Sequence, residues 1–158
     1  MRFAFAMLAA TLLACSDPAA PQPGSLIGHW LTEPQPLLPS GSHQYSLRYG
    51  ADGRYTSEVR SYGLYAGQAA TDLSAYVQLT GTFRAEAGRI AYATERIVRW
   101  DHFYGPESAP VVQEPAGAPP RPDDGTRYEI RGDRLTLHYL SYPLDAPVPT
   151  TQVYFRAD

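Results

Sequence analysis

From residue 26 onward the chain is a series of short runs in which apolar and polar residues alternate. In Gln44–Tyr49, Tyr45, Leu47 and Tyr49 share one face and Ser46 and Arg48 take the other. That two-residue period belongs to a half-buried strand. After Gly50-Ala51-Asp52-Gly53 the alternation resumes in Arg54–Tyr62, with Tyr55 and Val59 opposite Arg54, Thr56, Glu58 and Arg60. Asp-Gly between two alternating runs predicts a hairpin. Residues 63–72 are small and polar and read as a loop with room for one helical turn. Leu73–Ala85 sets Val77, Leu79 and Phe83 in phase, turns at Glu86-Ala87-Gly88 and returns as Arg89–Phe103. In that return Ile90, Tyr92, Val98 and Trp100 fall on one face and Ile97 on the other. Either both faces are covered or a bulge shifts the phase. Tyr128–Arg131 and Arg134–Tyr142 meet at Gly132-Asp133, with Leu135, Leu137 and Tyr139 on one face. Gln152–Arg156 closes the chain, with Val153 and Phe155 in phase.

With Leu26–Leu31 at the start, these runs predict about eight strands, mostly antiparallel and joined in sequence. No segment carries a convincing helical period. Prolines punctuate the rest: Pro34, Pro36 and Pro39 early, and Pro143, Pro147 and Pro149 late. Between Gly105 and Gly125 stand Pro106, Pro110, Pro115, Pro119, Pro120 and Pro122. Proline cannot donate to a ladder, so this stretch is expected to be neither strand nor helix. Loops of that length are uncommon in compact domains and are usually functional or disordered. The fold class expected is all-β: an up-and-down barrel, which leaves no sheet edge, or alternatively a β-sandwich.

The N-terminus breaks the pattern. Met1-Arg2 gives a short positive start, and Phe3–Ala14 is apolar throughout except Thr11. As a helix that run rises only about 18 Å, short of the roughly 30 Å bilayer core, and it suits a signal-peptide h-region. It ends Leu12-Leu13-Ala14-Cys15, which resembles the lipobox of bacterial lipoproteins. The resemblance implies cleavage before Cys15, a diacylglycerol on its thiol and acylation of the freed amine. An ordinary secretory signal would leave Cys15 a bystander; but it is the only cysteine, so no intrachain disulfide accounts for it. Ser16 rather than Asp follows it, which in this type of lipoprotein implies the outer membrane, facing the periplasm. The organisation expected is therefore a signal peptide over 1–14, a lipidated Cys15 with a Pro-rich tether over 15–25, and a β domain over 26–158.

Charge narrows the partners. All 13 basic residues are Arg, against 16 acidic residues. A mildly acidic chain without a polybasic stripe disfavours nucleic acid and anionic lipid. Membrane contact is expected through the N-terminal lipid instead. The catalytic motifs Gly-x-Ser-x-Gly, His-Glu-x-x-His and the phosphate-binding glycine loops are absent, and without lysine a Ser-x-x-Lys pair is ruled out. His29, His43, His102 and His138 are too scattered for a zinc motif. Asp101 and His102 are strand neighbours, which point to opposite faces. No catalytic residue, metal site or cofactor is expected, and the chain reads as a non-enzyme.

Leu26-Ile27-Gly28-His29-Trp30 looks like the Gly-x-Trp opening of lipocalin-like domains. The Asp52-Gly53-Arg54-Tyr55 hairpin, Gly81-Thr82-Phe83 and Gly132-Asp133-Arg134-Leu135-Thr136-Leu137 extend that likeness over roughly residues 25–158. Together they resemble the small lipocalin-like domains of bacterial lipoproteins, without a disulfide and with the Pro-rich stretch 105–125 added. The resemblance implies an eight-stranded barrel, Trp30 plugging one end, and binding of a small hydrophobic ligand or an envelope protein. Tyr is unusually common, 12 residues against 5 Phe. Candidate ligand-binding residues are Trp30, Tyr45, Tyr55, Tyr92, Trp100 and Tyr139. Two readings of the tyrosines stay open: a cavity lining for flat amphipathic molecules, or an amphipathic strand surface.

Overall fold

The structure, a computed structural model, describes residues 25–37, 40–115, 125–141 and 146–157. Cys15, the expected signal peptide and most of the expected tether lie outside the described residues, as do Tyr142 and the centre of the Pro-rich stretch. Ten strands follow in order: β1 (Gly28–Leu31), β2 (Gln35–Pro36), β3 (Ser42–Tyr49), β4 (Arg54–Tyr62), β5 (Leu73–Glu86), β6 (Arg89–Asp101), β7 (Val111–Gln113), β8 (Thr126–Arg131), β9 (Arg134–Ser141) and β10 (Val148–Ala157). A single 3-10 turn, His102–Tyr104, follows β6.

The sheet closes on itself. β1 pairs with β10 on one edge and β3 on the other, so that Trp30 faces Arg156 and Leu47 across its two ladders. The remaining wall runs β10-β9-β8-β6-β5-β4-β3, all antiparallel. This is the expected up-and-down barrel of eight strands, compatible with a lipocalin-like fold, and closure excludes the sandwich. β2 and β7 are short additions to β3 and β6.

β7 corrects the expectation that 105–125 holds no strand. Val111–Gln113 sits between Pro110 and Pro115, with all three amides free to donate, and pairs with Ile97–Arg99. Farther along the same edge of β6, Arg127 and Thr126 of β8 pair with Arg89 and Ile90. β7 and β8 therefore occupy one wall position, read in one direction, with residues 114–125 between them in the chain.

Two further corrections concern phase. Between Gly81–Thr94 and Thr80–Arg96 the β5–β6 register skips Glu95. This bulge sends Glu95 and Arg96 outward in succession, so Ile90 and Tyr92 point inward while Val98 and Trp100 point outward. Opposite it, a Cβ on Gly81 would overlap the carbonyl oxygen of Ala93; glycine is what lets the strands approach there. In β10 the inward residues are Gln152 and Tyr154, both buried, while Phe155 is exposed. The apolar pair Val153 and Phe155 thus marks the outer face. β10 also starts earlier than expected, with Pro149 opposite Leu140. β1 reaches only the far end of β10, so among the described residues Pro149 has a ladder neighbour on one side only, and its missing N–H can face away from the sheet.

Short turns at 50–53, 87–88 and 132–133 define one end of the barrel, and the longer connections the other. The short-turn end is sealed. Trp30 is fully buried and its Nε1 donates to the Leu26 carbonyl at 2.9 Å. The Arg156 guanidinium lies 4.2 Å from the Trp30 ring centroid and donates to the carbonyls of Ile27 (3.1 Å) and Ser25 (2.8 Å). Gly28 has φ +139, and a Cβ there would come within 2.6 Å of Arg156 Nη1. Gly28 and Trp30 thus act together: one makes room for the guanidinium, the other supplies its platform. Ile90 and Leu135 complete this floor.

Candidate functional site

Above the floor the inward residues do not fill the barrel. A cavity of about 300 Å³ remains, at the lower end of the range usual for small-molecule sites, roughly 300–1,000 Å³. Tyr55, Tyr92, Tyr139 and Tyr154 contribute rings and hydroxyls. Leu47, Leu79 and Leu137 provide apolar wall. Ser57, Thr94 and Thr126 add hydroxyls. No lining residue carries a charge at neutral pH.

Strand register explains the set. Tyr55, Gly81 and Thr94 lie in one row across β4, β5 and β6. Because Gly81 has no side chain, the Tyr55 hydroxyl spans β5 and meets Thr94 Oγ1 at 2.6 Å. Deeper in, the Tyr92 and Tyr49 hydroxyls are hydrogen-bonded at 2.5 Å. The Tyr55 and Tyr92 rings pack at 4.9 Å, as do Tyr49 and Phe83, within the range of favourable aromatic pairs. Burial disfavours the phenolate throughout. It raises the Tyr49, Tyr55, Tyr139 and Tyr154 hydroxyls above the ordinary tyrosine value and pushes Tyr92 up to about 12. The wall therefore presents neutral phenols.

Of the residues singled out in the sequence, Tyr55, Tyr92 and Tyr139 come together in this cavity. Tyr45 points inward one row nearer the long-loop end, half-buried, with its ring edge-on to His43 at 5.1 Å. Trp30 lies beneath the cavity in the floor. Trp100 is on the outer wall, stacked on Tyr76 at 6.1 Å with Nε1 donating to the Ser108 carbonyl at 3.1 Å. Tyr154 and the hydroxyl residues were not evident from the sequence. Tyr154 sits between Val153 and Phe155, whose hydropathy points to the opposite face; Ser57 and Thr94 look like solvent-facing strand positions.

Other hollows differ in kind. One of about 760 Å³ is lined in large part by polar residues, among them Arg89, Arg127, Glu129, His138 and Thr151, and reaches Tyr139 from the far side of the wall. Asp101 is committed locally: it accepts from Tyr65 Oη (2.5 Å) and the Phe103 N–H (2.8 Å), while His102 stacks on Tyr65. Among the described residues no three His, Cys, Asp or Glu side chains cluster as metal ligands. No known family, curated protein or solved structure matches the chain.

Proposed function

We propose that this chain is a lipid-anchored lipoprotein of a bacterial cell envelope, facing the periplasm, whose lipocalin-like barrel binds a small apolar or amphipathic molecule. The observation that carries the binding reading is the tyrosine-lined cavity above a sealed floor. The anchor reading rests on the lipobox-like Leu12–Cys15 and on Cys15 being the sole cysteine. The two fit together: the chain enters at the sealed end, so a tether from Cys15 would leave the other end turned away from the membrane.

Native mass spectrometry of the protein purified from bacterial membranes tests both parts. A non-covalent small-molecule adduct on a diacylglycerol-bearing chain is expected, and protein that carries no adduct and takes up no small apolar compound would count against the binding reading. Cys15→Ser should abolish acylation; unchanged processing and membrane fractionation would overturn the anchor.

A second reading, a protein-interaction module, draws on the rim. Phe103 and Tyr104 are 74% and 78% exposed, and Val111 is exposed nearby; exposed apolar patches often mark interaction sites. Stoichiometric capture of one envelope protein, lost on Phe103→Asp, would favour it.

A further inference from the structure

We infer that the cavity selects a compact, uncharged, ring-bearing molecule that accepts hydrogen bonds from Tyr154 and Tyr139, and that it rejects fatty acids and other anions. This rests on the ligand-binding reading above and narrows it to a chemical class.

Size comes first. About 300 Å³ lies at the lower end of the range for small-molecule sites. A one- or two-ring molecule is matched to that space, whereas a long acyl chain with its headgroup would extend out of it.

Charge comes second. The lining contains phenols, aliphatic groups and aliphatic hydroxyls, and no cation. The half-buried Arg156 at the floor is already engaged by two backbone carbonyls and by Asp133 at 3.6 Å. A carboxylate entering the cavity would lose its hydration and meet no counter-charge, which is strongly unfavourable.

Hydrogen bonding comes third. Tyr55 and Tyr92 have protein partners in Thr94 and Tyr49. Among the described residues Tyr139 and Tyr154 have none, although Tyr154 is only 4% exposed. No fully enclosed side-chain polar atom among those residues lacks a partner, so the Tyr154 hydroxyl faces the open space of the cavity. A hydroxyl that no protein group engages is free to donate to an acceptor on the ligand, in exchange for water. The ring faces of Tyr55 and Tyr92 then supply a surface suited to a flat partner.

The test titrates the purified full chain at neutral pH with 2-naphthol, 2-naphthoate and palmitate, using calorimetry. 2-Naphthol should bind, 2-naphthoate at least about tenfold more weakly, and palmitate should not compete. Tyr154→Phe keeps the ring and removes only the hydroxyl, so it should weaken 2-naphthol binding about fivefold, the value of one ordinary hydrogen bond, with no loss of thermal stability. Binding of palmitate or 2-naphthoate as tightly as 2-naphthol overturns the inference and leaves the ligand-binding reading standing, as does undiminished 2-naphthol binding by Tyr154→Phe. If none of the three probes binds, both fall.

Discussion

Replacing Arg156 by Ala should unfasten the sealed end of the barrel. The side chain donates to the carbonyls of Ser25 and Ile27 and covers the Trp30 ring, with only 15% of it exposed. Two hydrogen bonds from a charged donor are worth about 1.5 kcal/mol each at the low end of their range, and a shielded cation–π contact adds about 1 kcal/mol. Ser25 and Ile27 are half-buried, so water returns about 1–2 kcal/mol by hydrating their carbonyls. The net loss is about 2–3 kcal/mol, or roughly 6–9 °C in melting temperature for a chain of this size. Urea unfolding followed by tryptophan fluorescence suits the measurement, because Trp30 is one of only two tryptophans. Arg131→Ala is the comparison: its ion pair with Glu129 is 84% and 57% exposed at 3.1 Å, and its loss should change stability by no more than about 0.5 kcal/mol. Arg156→Lys should fall between the two, keeping the charge and losing the fork that reaches two carbonyls. An Arg156→Ala protein as stable as Arg131→Ala would refute the claim that this side chain ties the entering segment to the floor.

Other consequences follow from the wall. Gly81→Ala forces a methyl group onto the Ala93 carbonyl at the β6 bulge and should cost about 2 kcal/mol or more; an unchanged urea midpoint would show that the strands separate there at little cost. Stability should also fall at alkaline pH. Below pH 10 the buried tyrosines are protonated in both folded and unfolded chains; above it the unfolded chain loses protons first, so the slope of stability with pH is negative. By pH 12 Tyr92 alone accounts for roughly 2 kcal/mol, with Tyr49 and Tyr154 acting in the same direction. Denaturant midpoints that stay flat across that interval would contradict the burial of these phenols.

Much of the fold was legible because the barrel wall obeys the two-residue period. Tyr45, Leu47 and Tyr49, and Leu135, Leu137 and Tyr139, declare their inward face without help from tertiary structure. The failures share a cause: hydropathy alone assigned a phase that geometry then changed. In β6 the sign of the bulge was present in the adjacent charges Glu95-Arg96, which cannot both face water on a regular strand. Without that shift, Trp100 shares a face with Tyr92. In β10 the apolar pair Val153 and Phe155 outweighed Tyr154, because a tyrosine between two hydrophobic residues reads as the polar side of the pattern. Prolines misled, as at Pro36, which lies in β2. Val111–Gln113 fits between two of them, and Pro149 needs no second ladder partner where β10 outruns β1. The cavity could not be read from the sequence, since empty space depends on how inward side chains fail to meet. Gly81 was visible, but that its absence of a side chain lets Tyr55 reach Thr94 follows only from the register.

On the ligand-binding reading, the interior of this barrel, and not its surface, holds the ligand. Neighbouring positions on β4 separate the two: Ser57 points into the cavity and Thr56 onto the outer wall. Titration of 2-naphthol against Ser57→Phe and Thr56→Phe tests the claim directly. Filling the cavity with the Ser57→Phe ring should lower affinity at least about tenfold, a change of about 1.4 kcal/mol, while Thr56→Phe should bind within about twofold of the parent. Equal affinity for the parent and Ser57→Phe, in folded protein, would contradict it.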